Sequence, residues 1–258
     1  MIRVEHIYKS FDGKAVLKDI TTDFLKGQTN LIIGRSGSGK TVLLKSIVGL
    51  HEVDRGNIYY DERNFTRMKH DERKHLRQEM GMVFQGGALF DSLSVEENVR
   101  FPLDMFTNQS PAEKTKRVAF CLERVNIQAD AFRLSPAEIS GGMQKRVAIA
   151  RAIALNPKYL FCDEPNSGLD PETSIVIDSL IHNITTDLNI TTVINTHDMN
   201  SVMEIGDKIL FISEGEMCWE GNKTEILYTK NQKLQEFVFA NRQYREIRDA
   251  RIKESKAE

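Results

Sequence analysis

The first thirty residues alternate between apolar and polar positions, as strands do when one of their faces is buried. Turn residues at Asp12-Gly13 and Lys26-Gly27 interrupt this alternation. The pattern predicts short antiparallel strands up to about Thr29. Next comes a short apolar run, Leu31-Ile32-Ile33, then a glycine-rich turn, and from Thr41 to Leu50 apolar residues recur at helical spacing. We therefore expect a strand, a glycine loop and a helix in that order.

From about Asp91 to Asn156 the spacing of apolar residues is mostly helical. A break falls at Leu134-Ser135-Pro136, and a second helix is expected from about Met143. Because apolar, strand-like runs lie on both sides of this stretch, it predicts a helical lobe inserted into an α/β core.

Two continuous apolar or β-branched runs follow, Tyr159 to Cys162 and Thr191 to Ile194. Such runs are typical of strands buried on both faces, and the helical pattern from Ile175 to Ile184 between them predicts a parallel βαβ unit. A terminal helix is expected from about Leu234. Its arginines, Arg242, Arg245, Arg248 and Arg251, favour a solvated surface helix over a contact with lipid headgroups or a partner.

Charge and cysteine content exclude several classes of protein. The chain has 258 residues, with 35 Lys and Arg against 37 Asp and Glu, a balance that does not indicate nucleic-acid binding. Its three cysteines, Cys121, Cys162 and Cys218, lack the spacing of a disulfide framework or a zinc site. The charged N-terminus does not resemble a signal peptide, and no apolar run is long enough to span a bilayer. We expect a cytoplasmic protein, so any work at a membrane needs another protein to cross it.

A phosphate-binding motif occupies the predicted glycine loop. Gly34-Arg35-Ser36-Gly37-Ser38-Gly39-Lys40-Thr41 matches G-x-x-x-x-G-K-[ST], in which backbone N–H groups surround the phosphates of a nucleotide. Lys40 is expected at the β- and γ-phosphates, and the Thr41 hydroxyl at Mg²⁺. The preceding strand and the following helix supply the context that this motif requires, so we expect ATP and Mg²⁺ as cofactors.

Two carboxylates end the run Tyr159-Leu160-Phe161-Cys162-Asp163-Glu164. An aspartate at the end of a buried strand is suited to anchoring Mg²⁺, which is the role expected for Asp163. Glu164 is expected to act as the general base that activates the attacking water. His197 follows the next buried strand, at the edge of the sheet where ligands bind in open α/β folds.

Together these motifs resemble the ABC ATPase family over nearly the whole chain. Ser140-Gly141-Gly142 is similar to the family's signature motif, which implies binding to the γ-phosphate of ATP held by the opposite subunit. Gln85 resembles the glutamine-loop residue, with an implied role at Mg²⁺ and the attacking water, and Ser167-Gly168-Leu169-Asp170 resembles the loop that crosses the dimer interface. The resemblance also implies that His197 is the switch histidine and that Phe11 stacks on adenine.

The resemblance implies an α/β P-loop NTPase core with an N-terminal antiparallel β subdomain and an inserted helical subdomain. We expect the ATPase domain over residues 1–230, with its helical lobe at about 91–156, and a C-terminal helical extension over 231–258. Ile139 and Met143 depart from the residues that most relatives carry beside Ser-Gly-Gly, outside the expected phosphate contacts. The implied partners are a second copy of the chain and an integral membrane permease, at the inner face of the cell membrane.

The segment from Phe84 to Leu103 is similar to ATPases of lipid transporters that work with Mce proteins, of the maintenance-of-lipid-asymmetry type. This implies phospholipid transport with an Mce-domain substrate-binding protein. Leu89 and Phe90 are expected at the permease contact, the alternative being that they pack within the helical lobe. Other transported substrates remain open, as does a non-transport ABC ATPase, although the chain lacks the long coiled-coil insertion or second cassette of the types that act on DNA ends or ribosomes.

Overall fold

Ten strands and eight α-helices make up the part of the chain that the structure describes, which is residues 1–240, 244–246 and 248 of a computed structural model. The strands are Ile2–Phe11 (β1), Lys14–Phe24 (β2), Thr29–Ile33 (β3), Arg55–Tyr60 (β4), Arg63–Asn64 (β5), Met80–Val83 (β6), Tyr159–Asp163 (β7), Thr191–Thr196 (β8), Lys208–Ser213 (β9) and Glu216–Gly221 (β10). The helices are Lys40–Val48 (α1), His70–Gln78 (α2), Val95–Phe106 (α3), Pro111–Arg124 (α4), Gly141–Ile153 (α5), Pro171–Asp187 (α6), Met199–Ile205 (α7) and Gln232–Val238 (α8).

These elements divide into two compact units. The first comprises Met1–Leu25, Thr29–Thr66 and Asn195–Glu258, and the second comprises Lys26–Gln28 and Arg67–Ile194. The division predicted from the sequence, an ATPase domain with a lobe at about 91–156 and a C-terminal extension, stays a prediction.

The first unit contains an antiparallel sheet of order β2-β1-β4-β5. Its strands alternate as the sequence indicated, with Ile2, Val4 and Ile7 fully buried. Asp12 and Gly13 both take positive φ angles, 48° and 77°, in the tight turn between β1 and β2. The antiparallel prediction is confirmed, although β1 and β2 are long, at 10 and 11 residues.

The same unit holds three further strands in the order β10-β9-β3. β3 pairs parallel with β9, and β9 pairs antiparallel with β10. α1 follows β3 after the glycine loop and ends at Gly49, whose φ of 80° suits a helix terminus. The predicted order of strand, glycine loop and helix is confirmed.

The second unit contains β6, β7, residues 191–194 of β8 and most of the helices, and its strands have the order β8-β7-β6. β6 pairs parallel with β7, whose five residues are all buried, as the apolar run predicted. α3 and α4 begin at capping boxes formed by Ser94 with Glu97 and by Ser110 with Glu113. The predicted helical stretch is confirmed, and its second helix starts at Gly141 rather than near Met143.

The C-terminal helix is shorter than the apolar spacing suggested. α8 buries Leu234 and Val238 and ends there. Tyr244–Glu246 and Arg248 are again helical, and the Tyr244 hydroxyl donates to Asn200 Oδ1 at 2.6 Å. The other predicted helix residues, Arg242, Ile247 and Arg251, lie outside the described residues.

All three cysteines are free thiols. Burial raises the pKa of the Cys121 thiol to about 11 and raises the pKa of Cys162 further. Both side chains therefore stay protonated at neutral pH and pack as small apolar groups.

Candidate functional site

The phosphate loop, residues 34–41, is shaped by two glycines, Gly34 and Gly39, that have no room for a side chain. Gly34 has a φ of 152°, and a Cβ there would lie 2.2 Å from the carbonyl oxygen of Ile212. Gly39 has a φ of 108°, and its Cβ would lie 3.0 Å from the carbonyl oxygen of Val16. Only glycine tolerates both the conformation and the close approach. The chain therefore forms the narrow backbone cradle that phosphate binding needs.

Lys40 lies inside this cradle and is 5% exposed. Its Nζ donates to the carbonyl oxygens of Gly34 and Arg35 at 2.9 and 3.1 Å. The ammonium is thus held against the loop whose N–H groups would receive the phosphates, so a buried positive charge is already in place. Thr41, the next residue, accepts a hydrogen bond on its Oγ1 from Asn195 Nδ2 at 2.9 Å.

Phe11 ends β1 in the same unit and is 39% exposed. Its ring meets His51 edge to face, with centroids 5.3 Å apart, and Lys9 Nζ lies 5.2 Å from its centroid. Burial, Lys45 and Lys9 lower the pKa of His51, so the imidazole is neutral at pH 7. Because Phe11 is exposed, its ring offers an accessible aromatic surface, which is what stacking on a base requires.

His197 is exposed directly after β8, where the sequence predicted it. It belongs to the first unit together with the phosphate loop.

Asp163 and Glu164 lie in the second unit, at the end of β7. Asp163 is buried, and Glu164 is partly exposed with a φ of 47°. A non-glycine residue in this left-handed region costs energy and is often found where function fixes the backbone. The extended backbone of β7 therefore ends between the two adjacent carboxylates.

The glutamine loop, residues 84–90, follows β6 in the second unit. The exposed Gln85 donates from Nε2 to Ser167 Oγ at 3.2 Å. Ser167 belongs to the run before α6, whose first turn is capped by Asp170, which accepts from the Thr173 N–H at 2.9 Å. The structure therefore brings together two predicted motifs that lie 82 residues apart.

The signature motif forms the start of α5. Ser140 is the N-cap and accepts from the Met143 N–H at 3.3 Å, and the first turn contains no acidic residue. Gly141 has open space around it. N–H groups at the beginning of a helix attract anions, so this end of α5 is suited to a phosphate.

Two cations of α5 hold the backbone of the glutamine loop, although the motifs in the sequence did not indicate such a role. Lys145 Nζ donates to the carbonyl oxygen of Gln85. The Arg151 guanidinium donates to the carbonyl oxygens of Gly87 and Ala88, both at 2.7 Å. Burial lowers the pKa of both cations. Their sequence signal was that both lie among the apolar residues of the helix, which carries three basic residues, Lys145, Arg146 and Arg151.

A buried asparagine of α3 organises the end of the same loop. Asn98 is fully buried, and its amide donates to the carbonyl oxygens of Phe90, Leu93 and Ser94. Its Oδ1 accepts from the Phe90 N–H at 2.8 Å. Its only sequence signal was a polar residue on the apolar side of a helical pattern.

Residues 17–167 match the family model described as ABC transporter. This match covers more than half of the chain and includes the phosphate loop, the signature turn and both carboxylates. The chain belongs to the ABC transporter family. As an ABC ATPase it hydrolyses ATP and uses Mg²⁺.

Relatives within the ABC family cover most of the chain. The methionine import ATP-binding protein MetN of Clostridioides difficile (strain 630) is 37% identical over 238 residues, which is 92% of this chain and 74% of that protein. The intermembrane phospholipid transport system ATP-binding protein MlaF of Haemophilus influenzae is 34% identical over 238 residues, 92% of this chain and 90% of that protein.

A solved dimer of the ATP-binding cassette MJ0796, in a post-hydrolysis state with ADP and Pi, superimposes with a TM-score of 0.79. The two sequences are 31% identical, and the match covers 86% of this chain and 99% of the MJ0796 chain. The predicted ABC ATPase fold is confirmed.

An aromatic groove lies beside the glutamine loop of this ABC ATPase, within the second unit. Its volume is about 620 Å³. Its floor and walls include four phenylalanines, Phe84, Phe90, Phe101 and Phe106, each between 38 and 45% exposed. Basic groups of His70, Lys74, Arg77 and Arg151 also line it.

Phe90 is thus exposed in this groove, where its ring lies 4.7 Å from that of Phe101 between centroids. Leu89, which the sequence analysis grouped with Phe90, is half-buried and does not line the groove. No helix within the described residues is long and apolar enough to cross a membrane.

Proposed function

We propose that this chain is the ATP-hydrolysing subunit of a membrane transporter and that two copies close around ATP to drive a separate permease. The phosphate loop carries the proposal, since its backbone excludes side chains at Gly34 and Gly39 and its buried Lys40 already faces the loop. Glycine loses more conformational entropy on folding than other residues do, so a loop that requires glycine at two positions is better explained by a bound ligand than by stability. A phosphate chain fits its donors and its charge.

We assign the nucleotide contacts by the type of group that each residue offers. The N–H groups of Gly34, Arg35, Ser36, Gly37, Ser38 and Gly39 would receive the phosphates, with Lys40 at the β- and γ-phosphates and Phe11 against the adenine. Thr41, Gln85 and Asp163 offer the oxygen atoms that Mg²⁺ prefers. Held by these oxygens, Mg²⁺ would supply positive charge against the negative charge of the phosphates.

Hydrolysis needs a base for the attacking water, and we assign that role to Glu164. Glu164 follows Asp163 directly, and its left-handed backbone ends the extended course of β7 at this position. Gln85 and His197 would orient the water and the γ-phosphate, and Lys40 would stabilise the charge that develops there.

Mutation of the two central residues tests this assignment. Lys40→Ala should reduce ATP turnover by on the order of 10³-fold, because a buried charge at the phosphates is lost. Glu164→Gln should keep ATP affinity and slow hydrolysis by on the order of 10²-fold or more, because an amide cannot accept the water's proton. Lys14→Ala, on an exposed position of β2, is the matched control. Turnover near the wild-type rate in either site variant would refute its role.

The second copy follows from the anion site at the start of α5. Ser140, Gly141 and Gly142 offer phosphate donors in addition to those of the phosphate loop, and a head-to-tail pair would join each signature turn to the partner's ATP. The Glu164→Gln variant should therefore elute at twice the protomer mass in saturating ATP with Mg²⁺. A monomer under these conditions would contradict the sandwich.

We assign permease docking to the aromatic groove beside the glutamine loop. Four exposed phenylalanines favour an apolar partner segment, and the basic rim favours one that also carries acidic residues. Phe90→Glu should abolish co-purification of the permease while leaving the melting temperature near that of wild type, because an unpaired charge is costly in an interface core. Phe120→Glu, an exposed phenylalanine of α4 that does not line the groove, is the matched control. Retention of the permease by Phe90→Glu would remove this assignment.

For the transported molecule we propose a phospholipid, handled with an Mce-type protein. The resemblance of residues 84–103 to lipid-transporter ATPases supports this, as does the coverage of the phospholipid-transport relative. The alternative is amino-acid import, favoured by the methionine-import relative and its slightly higher identity. Mass spectrometry of the native complex would decide between them, since lipid and an Mce-domain subunit should co-purify. A complex with a methionine-binding subunit and no lipid would favour import.

A further inference from the structure

Asn195 is a buried amide in an otherwise apolar and β-branched strand. It lies near the end of β8 and is 0% exposed. Its Nδ2 donates to Thr41 Oγ1 at 2.9 Å, and both residues belong to the first unit. A valine or isoleucine would suit such a strand better, so the amide needs a reason.

The hydrogen bond constrains the hydroxyl of Thr41. A threonine hydroxyl has one proton and two lone pairs, and the Asn195 amide occupies one lone pair. In a helix, threonine divides between two χ1 rotamers, because its hydroxyl can also donate to a carbonyl one turn back. A donor fixed in β8 favours the rotamer in which Oγ1 faces the strand end. The second lone pair and the proton are then left for a ligand at the phosphate loop.

We propose that Asn195 is a positioning residue that orients the Thr41 hydroxyl for Mg²⁺. Mg²⁺ demands nearly ideal octahedral geometry and tolerates misdirected ligands poorly. In this proposal Asn195 acts on the metal through Thr41 and is not itself a metal ligand. This inference rests on the proposed function, because it assigns the Thr41 hydroxyl to the metal that accompanies ATP.

The matched comparison is Asn30, a second buried asparagine in a strand of the same unit. Asn30 is 1% exposed. Its Oδ1 accepts a hydrogen bond from the Leu25 N–H, and its Nδ2 donates one to the Leu25 carbonyl oxygen. Both asparagines satisfy buried polar groups, but only Asn195 touches the proposed metal ligand. A purely structural amide should behave as Asn30 does.

The experiment measures the affinity of the full chain for a non-hydrolysable ATP analogue, once with Mg²⁺ and once with EDTA. For Asn195→Leu, which keeps the volume and removes the donor, we expect the Mg²⁺-dependent gain in affinity to fall by about 10-fold, or about 1.4 kcal/mol, while the affinity in EDTA is unchanged. Asn30→Leu should lower the melting temperature and leave that gain intact. In a Thr41→Ala background, Asn195→Leu should have no further effect, which is the signature of action through Thr41.

The other outcomes separate failure of the positioning role from failure of the proposed function. Equal losses with Mg²⁺ and with EDTA, an unchanged gain, or a full effect in the Thr41→Ala background would reject the positioning role of Asn195. If wild type itself shows no gain with Mg²⁺, the proposed function fails instead. Should Asn195→Leu not fold, Asn195→Thr, which suits a strand and is too short to reach Thr41, carries the same measurement with the same criteria.

Discussion

The phosphate loop and the glutamine loop both follow a short strand of parallel pairing, yet they are held in different ways. Backbone shape fixes the phosphate loop, since Gly34 and Gly39 lie where a Cβ would meet a carbonyl oxygen. Side chains from helices fix the glutamine loop, through Lys145 and Arg151 of α5 and Asn98 of α3. Gly86 within it has open space around its Cα.

This difference suits two tasks. A loop formed by excluded side chains has one arrangement and is ready for phosphate before the ligand arrives, which lowers the cost of binding. A loop held by long cationic side chains can shift while it keeps its hydrogen bonds, because those side chains have several rotatable bonds. The second kind of loop is better suited to transmitting a movement between a nucleotide and a permease.

The largest expected difference between the two loops comes from replacing one glycine in each loop by alanine. Gly34→Ala should lower the free energy of unfolding by more than about 3 kcal/mol, because the new Cβ overlaps a backbone oxygen and the φ of 152° is strained for alanine. Gly86→Ala should change it by no more than about 0.5 kcal/mol. Urea denaturation of both variants measures the difference. Similar losses in the two would erase the contrast between the loops.

A smaller effect is expected from removing Arg151, one of the side chains that hold the glutamine loop. Arg151→Met keeps most of the volume and deletes the bonds to Gly87 and Ala88, which should cost about 1–3 kcal/mol. Amide exchange should accelerate within residues 84–90, while the phosphate loop should keep its protection.

Arg117→Met is the matched control for Arg151→Met. Arg117 also donates to two backbone carbonyls, those of Ile153 and Ala154, at the end of α5 and outside the loop. Both variants should melt at lower temperature, but only Arg151→Met should alter exchange in the glutamine loop. Faster exchange there in Arg117→Met as well would mean that α5 as a whole, rather than Arg151, holds the loop.

The same contrast explains what the sequence could predict. The phosphate loop depends on residues within eight positions of one another, so its pattern and its flanking strand and helix were readable. β7 and its two carboxylates were readable for the same reason. Gln85 and the Ser167 run were identified only by resemblance, and their contact, which joins residues 82 positions apart, was not predicted. The roles of Lys145, Arg151 and Asn195 were missed because each joins elements far apart in the chain. The role of Asn98, whose partners lie four to eight residues away, was missed because one polar residue in a helical pattern is not a distinctive signal. Local spacing does not encode which backbone carbonyl a long side chain will reach.

The smallest expected effect concerns Asp170, whose carboxylate caps α6 close to Ser167, the residue that Gln85 contacts. Asp170 caps α6 just after the Ser167 run, and its bonds to the Thr173 hydroxyl and N–H lower its pKa. A lowered pKa in the folded state gives stability that is fully present above the unfolded-state pKa of about 4 and is lost as pH falls through the folded-state pKa.

Asp170→Asn keeps a good N-cap and cannot titrate, so its melting temperature should fall less than that of wild type between pH 5 and pH 3, in this acid window alone. Residues 34–41 of the phosphate loop include no carboxylate that titrates in this acid range, so Ser36→Ala should follow the wild-type pH profile. Parallel profiles for wild type and Asp170→Asn would show that the charge of Asp170 does not stabilise the start of α6.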